Sequence, residues 1–466
     1  MLGMGNMRQW LMNISLVGGW FPAAAFAVIA VLSVTLLVSA AVSKRDGRIL
    51  ANVLPIGVAA VSGMVGYVVA WLLSDVFVVF GVGLGSRVMS WVAAGFAIAG
   101  FAIVHIVLSR GMMRVAAAIL TVFAILAAAI GIDQSYGEYA TIGSLFGEDS
   151  YSQADLTGLA KRKDLITVAQ WRKQAANGTI RNIPANGTVN KIDIPATKSQ
   201  FEARKALVYL PPAALADSKR KPALPVVLML SGQPGSPGRV FQAGGIQTMM
   251  DGYAKTHDGL APIVIAADQL GADSHNTLCV DSKVYGNALT YLTQDVVDWV
   301  KTNLPAAQDA KDWAIAGFSQ GATCSLQIGV NHPDLFGTMI PTDSEIKPTN
   351  GSRQEMIDRF FDGDTTAYEN QVPVNAIRNH APTHQMLIIG AGEKDTTSIR
   401  NVKTIAPVAA KAGMRVAAVE SSGNAHDWHA VQDVLRYGLA VFGHDTGLDG
   451  ANPNLSDYPN LKRITI

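Results

Sequence analysis

The 466-residue chain is 49% hydrophobic and carries 37 basic against 36 acidic side chains, which makes it too long for one ordinary core and apolar enough to hold membrane segments. Seven basic and two acidic residues lie up to Ile132, a net of +5, leaving 30 basic and 34 acidic beyond it, a net of −4. That break marks a membrane region followed by a soluble domain, and without a basic excess in the second part nucleic acid is not an expected partner.

Four stretches, at about 16–42, 49–73, 88–108 and 115–132, are apolar enough to span a bilayer, whose core needs about 20 residues of helix. The first is longer than the roughly 7–15 residues of a signal-peptide core and three more follow, so it reads as a span rather than a cleaved leader. The loop Ser43–Arg48 holds three basic residues and Ser109–Arg114 two, whereas the link between the second and third spans holds Arg87 alone. The basic loops are therefore expected in the cytoplasm, with both termini and the soluble domain outside. Asp75 and His105 sit near span ends and read as interfacial. The small residues of Ala94–Gly100 suit close helix packing.

Residues 1–132 are thus the expected membrane region and 133–186 a connector with helical patterning near 165–175. From 187 to 466 strands alternate with helices. Val189–Ile194 and Ala206–Leu210 read as a half-exposed hairpin. Pro225–Ser231 and Pro262–Asp268 are continuous apolar runs of the buried parallel kind. Helices are expected at 245–255 and 290–304, then a strand running into Ser319, its helix, and the strand Gly337–Pro341. Gln385–Gly390 and Met414–Glu420 complete the sheet, with helices at about 398–412 and 429–442. This alternation predicts an α/β class, doubly wound, mostly parallel sheet, with ligands beyond the carboxyl ends of its strands.

Gly317-Phe-Ser319-Gln-Gly321 falls between a predicted strand and a predicted helix, the context of the nucleophile elbow of an α/β-hydrolase. A serine hydroxyl needs a base, and the base needs an orienting acid. In this fold the order is Ser, acid, His. After the strand ending at Gly390 the loop offers Asp395 as acid and Glu393 as the alternative, with Asp343 a lesser candidate. A carboxylate there could equally be a helix cap. After the last strand the loop offers His426 as base, with His429 more ordinary as an exposed or capping residue. The oxyanion would be met by the backbone N–H of Gln320 and of Gln233, the latter in Gly232–Pro237. Cys279 and Cys324 are expected to pair in an extracytoplasmic domain. No metal-type spacing occurs and no cofactor is expected.

Leu230-Ser-Gly-Gln-Pro-Gly235, Thr290–Trp299, the elbow followed by Asn331-His-Pro-Asp-Leu-Phe336, and His426-Asp-Trp428 resemble the esterase D and mycolyltransferase (antigen 85-like) family over about 190–445. The resemblance implies Ser319 as nucleophile, His426 as base and the Gln233 and Gln320 N–H groups as oxyanion hole. Mycolyltransferases use a glutamate as acid, which would favour Glu393, and are secreted without a four-span anchor. The expected function is a membrane-anchored extracytoplasmic serine esterase acting on an envelope lipid or glycolipid ester. Acyl transfer to a sugar hydroxyl and hydrolysis of aminoacyl-phospholipids are the alternatives within catalysis. A hydrolase-like domain that only binds a ligand is the non-catalytic one.

Overall fold

The structure is a computed structural model describing residues 2–42, 48–77, 83–149, 151–159, 164–180 and 182–466. Lys44 and Arg45 of the first basic loop lie outside the described residues. The chain divides into two compact units, Met1–Glu148 with Ala425–Asp427, and Asp149–Asn424 with Trp428–Ile466. The division falls inside the stretch read as a connector, because residues after Glu148 already supply a sheet strand and a helix to the second unit.

The first unit contains α1 (Leu2–Met12), α2 (Trp20–Val42), α3 (Arg48–Trp71, continued by a π-helical turn Leu72–Val76), α4 (Gly85–Leu108) and α5 (Met112–Tyr136). Four helices, Trp20–Val42, Val53–Val76, Gly85–Leu108 and Met112–Tyr136, are long and apolar enough to cross a membrane. Leu36, Phe101, Ala102, Ala117 and Leu120 form their buried core, while Val31, Met64, Val107 and Val122 face outward, the all-round apolarity of a helix with no aqueous side. Small residues sit at the crossings: a Cβ on Gly100 would lie 2.4 Å from Ser62 Oγ, and one on Gly95 2.8 Å from Ala128 Cβ. His105 is 3% exposed with its ring 4.6 Å from Phe101. One helical turn from Phe101, it shares the inward face of α4, so it is a core residue of the bundle rather than an interfacial one.

In the second unit the described residues form a ten-stranded main sheet. Its strands in chain order are β1 (Ser152–Gln153), β2 (Thr188–Ile192), β3 (Ala206–Leu210), β4 (Val226–Leu230), β5 (Ile263–Ala266), β6 (Trp313–Phe318), β7 (Thr338–Thr342), β8 (Met386–Gly392), β9 (Arg415–Ser421) and β10 (Leu461–Arg463). Their spatial order is β1-β2-β3-β5-β4-β6-β7-β8-β9-β10. From β5 through β9 neighbours are parallel; β3 is antiparallel to both β2 and β5, and β10 to β9. Lying between two strands, β3 is buried throughout, not half-exposed as its alternation suggested.

Successive side chains of β4 and β6 point to opposite faces, as strand geometry dictates. Leu228 and Ile315 join a core with α9 (Val296–Asn303), α10 (Gln320–Asn331) and α11 (Thr396–Lys411). Met229 and Ala316 join another, which includes side chains of α7 (Pro237–Ala243), α8 (Ile246–Lys255) and α12 (Trp428–Asp445); α6 (Val168–Ala176) buries Trp171 against the first. Helices on both faces of a mostly parallel sheet make this an α/β-hydrolase fold. The helix expected at 290–304 is interrupted by a π-helical turn, Tyr291–Asp295. Asp295 is buried there, accepting the Lys198 and Ser199 N–H groups at 2.9 Å each.

Candidate active site

β6 ends at Phe318, and Ser319 turns with φ 55° and ψ −117° before α10 begins at Gln320. That left-handed φ is costly for a residue with a Cβ and persists only where the surroundings enforce it. The flanking glycines are required by close approach. A Cβ on Gly317 would lie 2.2 Å from the Gly321 carbonyl oxygen, and one on Gly321 2.3 Å from that of Ser231. Ser319 N–H donates to Thr342 O at 3.0 Å, and Ser319 O accepts from Thr323 N–H at 3.0 Å. The serine is half-buried at the carboxyl end of the sheet.

The loop after β4 runs beside it: a Cβ on Gly232 would be 3.5 Å from Ser319 Cβ. Gln233 follows, its side-chain Nε2 donating to Ser274 O at 3.2 Å. Arg204 anchors this loop, donating to Gly235 O at 2.9 Å and to both oxygens of the fully buried Asp268 at 2.8 and 2.9 Å. Gln320 is buried, and its side chain donates to Asn276 Oδ1 at 3.3 Å.

Three loops beyond β7, β8 and β9 carry Asp343, Asp395 and His426, each with a polar atom within 4.8 Å of the others. Asp343 is fully buried, with φ 54°, and its Oδ1 accepts Gly392 N–H at 2.9 Å. Asp395 is nearly buried; its Oδ1 accepts the Thr397 and Ser398 N–H groups at 3.2 and 3.0 Å, capping α11. The cap and the proximity to His426 thus coexist on one residue. Glu393 lies outside this group. Its Oε2 accepts Gly423 N–H at 2.7 Å and its Oε1 pairs with Lys462 at 2.9 Å. The Lys462 bond, then that N–H, hold its carboxyl below the usual range. His429 is half-buried in the first turn of α12. Imidazole and two carboxylates are also donor types that could take a divalent cation.

Short-range bonds shape the loop that bears His426. Asp427 Oδ2 accepts Ala425 N–H at 2.7 Å. Asp433, buried in α12, accepts Ser421 Oγ at 2.7 Å, Asn424 Nδ2 at 3.2 Å and Asn460 Nδ2 at 3.3 Å. Cys279 and Cys324 are joined by a disulfide, Cα–Cα 5.7 Å, linking the loop after β5 to α10. Sequence reasoning did not single out Gln269, Asp427 or Asp433. Gln269 follows the carboxyl end of a parallel strand, which is the one signal that pointed to it.

Residues 198–438, more than half of the chain, match the family described as Putative esterase. The chain is also 32% identical over 333 residues to an uncharacterized protein of Corynebacterium glutamicum, covering 70% of this chain and 74% of that one. The chain belongs to the esterase family of α/β-hydrolases and is an enzyme, a carboxylic ester hydrolase. Solved structures similar to it include an S-formylglutathione hydrolase from Agrobacterium tumefaciens, at 16% identity and TM-score 0.46 over 57% of this chain and 98% of that one. A ferulic acid esterase from Anaeromyces mucronatus is similar at 18% identity and TM-score 0.42, over 55% and 90%.

Proposed function

We propose that the chain is a membrane-anchored, extracytoplasmic serine esterase that cleaves an ester-linked acyl group of an envelope lipid or glycolipid through an acyl-enzyme. The observation that carries this reading is the strained turn at Ser319, held by two glycines with no room for a side chain. In this reading Ser319 Oγ attacks the ester carbonyl carbon while His426 accepts its proton and Asp395 orients the imidazole. The carbonyl π electrons move to oxygen, where the Gln233 and Gln320 N–H groups receive the charge; one such donor is typically worth about 10²–10³ in rate. The C–O bond then breaks, the alcohol leaves with the proton from His426, and water repeats the sequence on the acyl-serine. Covalent continuity with four candidate spans keeps the catalytic unit tethered to a bilayer, which supports a lipid-linked substrate. The His426-Asp-Trp428 likeness to mycolyltransferases favours a second outcome for the same intermediate, in which a sugar hydroxyl replaces water.

A fluorophosphonate probe tests the reading, because it phosphonylates an activated serine without needing the natural substrate. Wild type is expected to be labelled stoichiometrically and folded S319A not at all. Labelling that survives in S319A, or fails in folded wild type, sinks the proposal.

A further inference from the structure

The two N–H groups assigned to the oxyanion lie on separate segments, Gln233 on the loop after β4 and Gln320 in the first turn of α10. One buried side chain touches both segments. Gln269, fully buried on the loop after β5, donates from Nε2 to Ser231 O at 2.7 Å and reaches Gln320 Oε1 at 3.2 Å. A carbonyl oxygen at 2.7 Å accepts only, so this contact fixes which end of the amide faces it. Ser231 is two residues before Gln233, and its carbonyl oxygen is the atom against which Gly321 packs.

Gln269 is itself held. Its main-chain carbonyl oxygen accepts Thr277 Oγ1 at 2.7 Å, and that hydroxyl accepts Cys279 N–H at 3.1 Å. Cys279 is disulfide-bonded to Cys324 in α10. The same loop receives the Gln233 side chain at Ser274 O and the Gln320 side chain at Asn276 Oδ1. The loop after β5 therefore grips both arms of the oxyanion site, and Gln269 is the one member bonded to the backbone of one arm and the side chain of the other.

We infer that Gln269 is a positioning residue that sets the spacing of the Gln233 and Gln320 N–H groups around the developing oxyanion. This rests on the serine-esterase reading above. Oxyanion donors act at about 2.7–3.1 Å from the charged oxygen, so a shift of either arm weakens the transition state more than the bound ester. Without Gln269 Nε2 the buried Ser231 carbonyl loses that partner, and the cheapest relief is movement of the Ser231–Gly232 peptide, next to the one that carries the Gln233 N–H.

The test uses the full chain in detergent with Gln269→Met and Gln269→Glu, each close to glutamine in size, beside S319A. Fluorophosphonate titration counts competent sites, p-nitrophenyl acetate gives kcat and KM per site, and phenylboronic acid reports affinity for a tetrahedral adduct. Both Gln269 variants are expected to lose about 10- to 100-fold in kcat, with KM within about twofold and phenylboronic acid weakened by a similar factor. Fewer titratable sites with unchanged kcat and boronate affinity per site would make Gln269 merely structural and overturn the inference. So would changes within about threefold on both measures. Turnover and labelling that persist in S319A would instead sink the serine reading, whatever Gln269 does.

Discussion

Asp395 has one carboxylate oxygen on two helix N–H groups and still lies within 4.8 Å of His426 and Asp343. The cap fixes its rotamer, which a carboxylate orienting an imidazole requires. Glu393, two residues earlier, spends both oxygens on Gly423 and Lys462. Asp395→Asn is therefore expected to lower kcat by about 10⁴, the loss typical of a triad acid, while E393Q stays within about threefold. Ester turnover per titrated site measures both. If E393Q carries the large loss instead, the acid is Glu393; if D343N carries it with D395N mild, the acid comes from the loop after β7. That the loops after successive parallel strands would carry Ser319, a carboxylate and His426 was legible in the sequence because chain order constrains them; that Glu393 would turn to Gly423 and Lys462 was not. The nearness of Asp343 to His426, and the bridging position of Gln269, depend on which strands become neighbours. No local pattern encodes that.

At the scale of elements, the β–α alternation from Val226 onward was readable because buried parallel strands are continuous apolar runs. β1 and β10 were not, since two or three residues carry no period and join the sheet only because β2 and β9 offer free edges. The π-helical turn at Tyr291–Asp295 was equally invisible, and it has a measurable consequence. Burial alone would push the Asp295 carboxyl up, but hydrogen bonds from Ser199, Lys198 and Thr197 outweigh it and leave the group below its ordinary value. A carboxyl depressed by folding stabilises the native state above its unfolded value, about 3.9, and loses that contribution as pH falls through the folded one. Wild type should thus melt above D295N at neutral pH, with the gap closing progressively below about pH 4. A gap that stays constant from pH 7 to pH 3 would mean the ionised carboxylate is not what holds Lys198 and Ser199.

For the whole molecule, two unrelated features bear on which side of a membrane the catalytic unit occupies. Disulfides persist in oxidising compartments and are rare in the cytosol, and Cys279–Cys324 is the disulfide among the described residues. Independently, Ser109–Arg114 and Ser43–Arg48 hold five basic residues against Arg87 alone in the other link between spans, and the positive-inside rule assigns the basic loops to the cytoplasm. If all four candidate spans cross, the chain returns to the side from which it started, and on these two arguments we propose that the catalytic unit lies outside. In intact cells a membrane-impermeant maleimide should label Lys219→Cys, exposed in the catalytic unit, without permeabilisation, and Ser109→Cys only after it. The native pair, disulfide-bonded and buried, should stay unlabelled in both until the protein is reduced and unfolded. The reverse pattern would place the catalytic unit in the cytoplasm, where thiols are kept reduced, and would remove the envelope lipid facing the outside from the substrates open to Ser319.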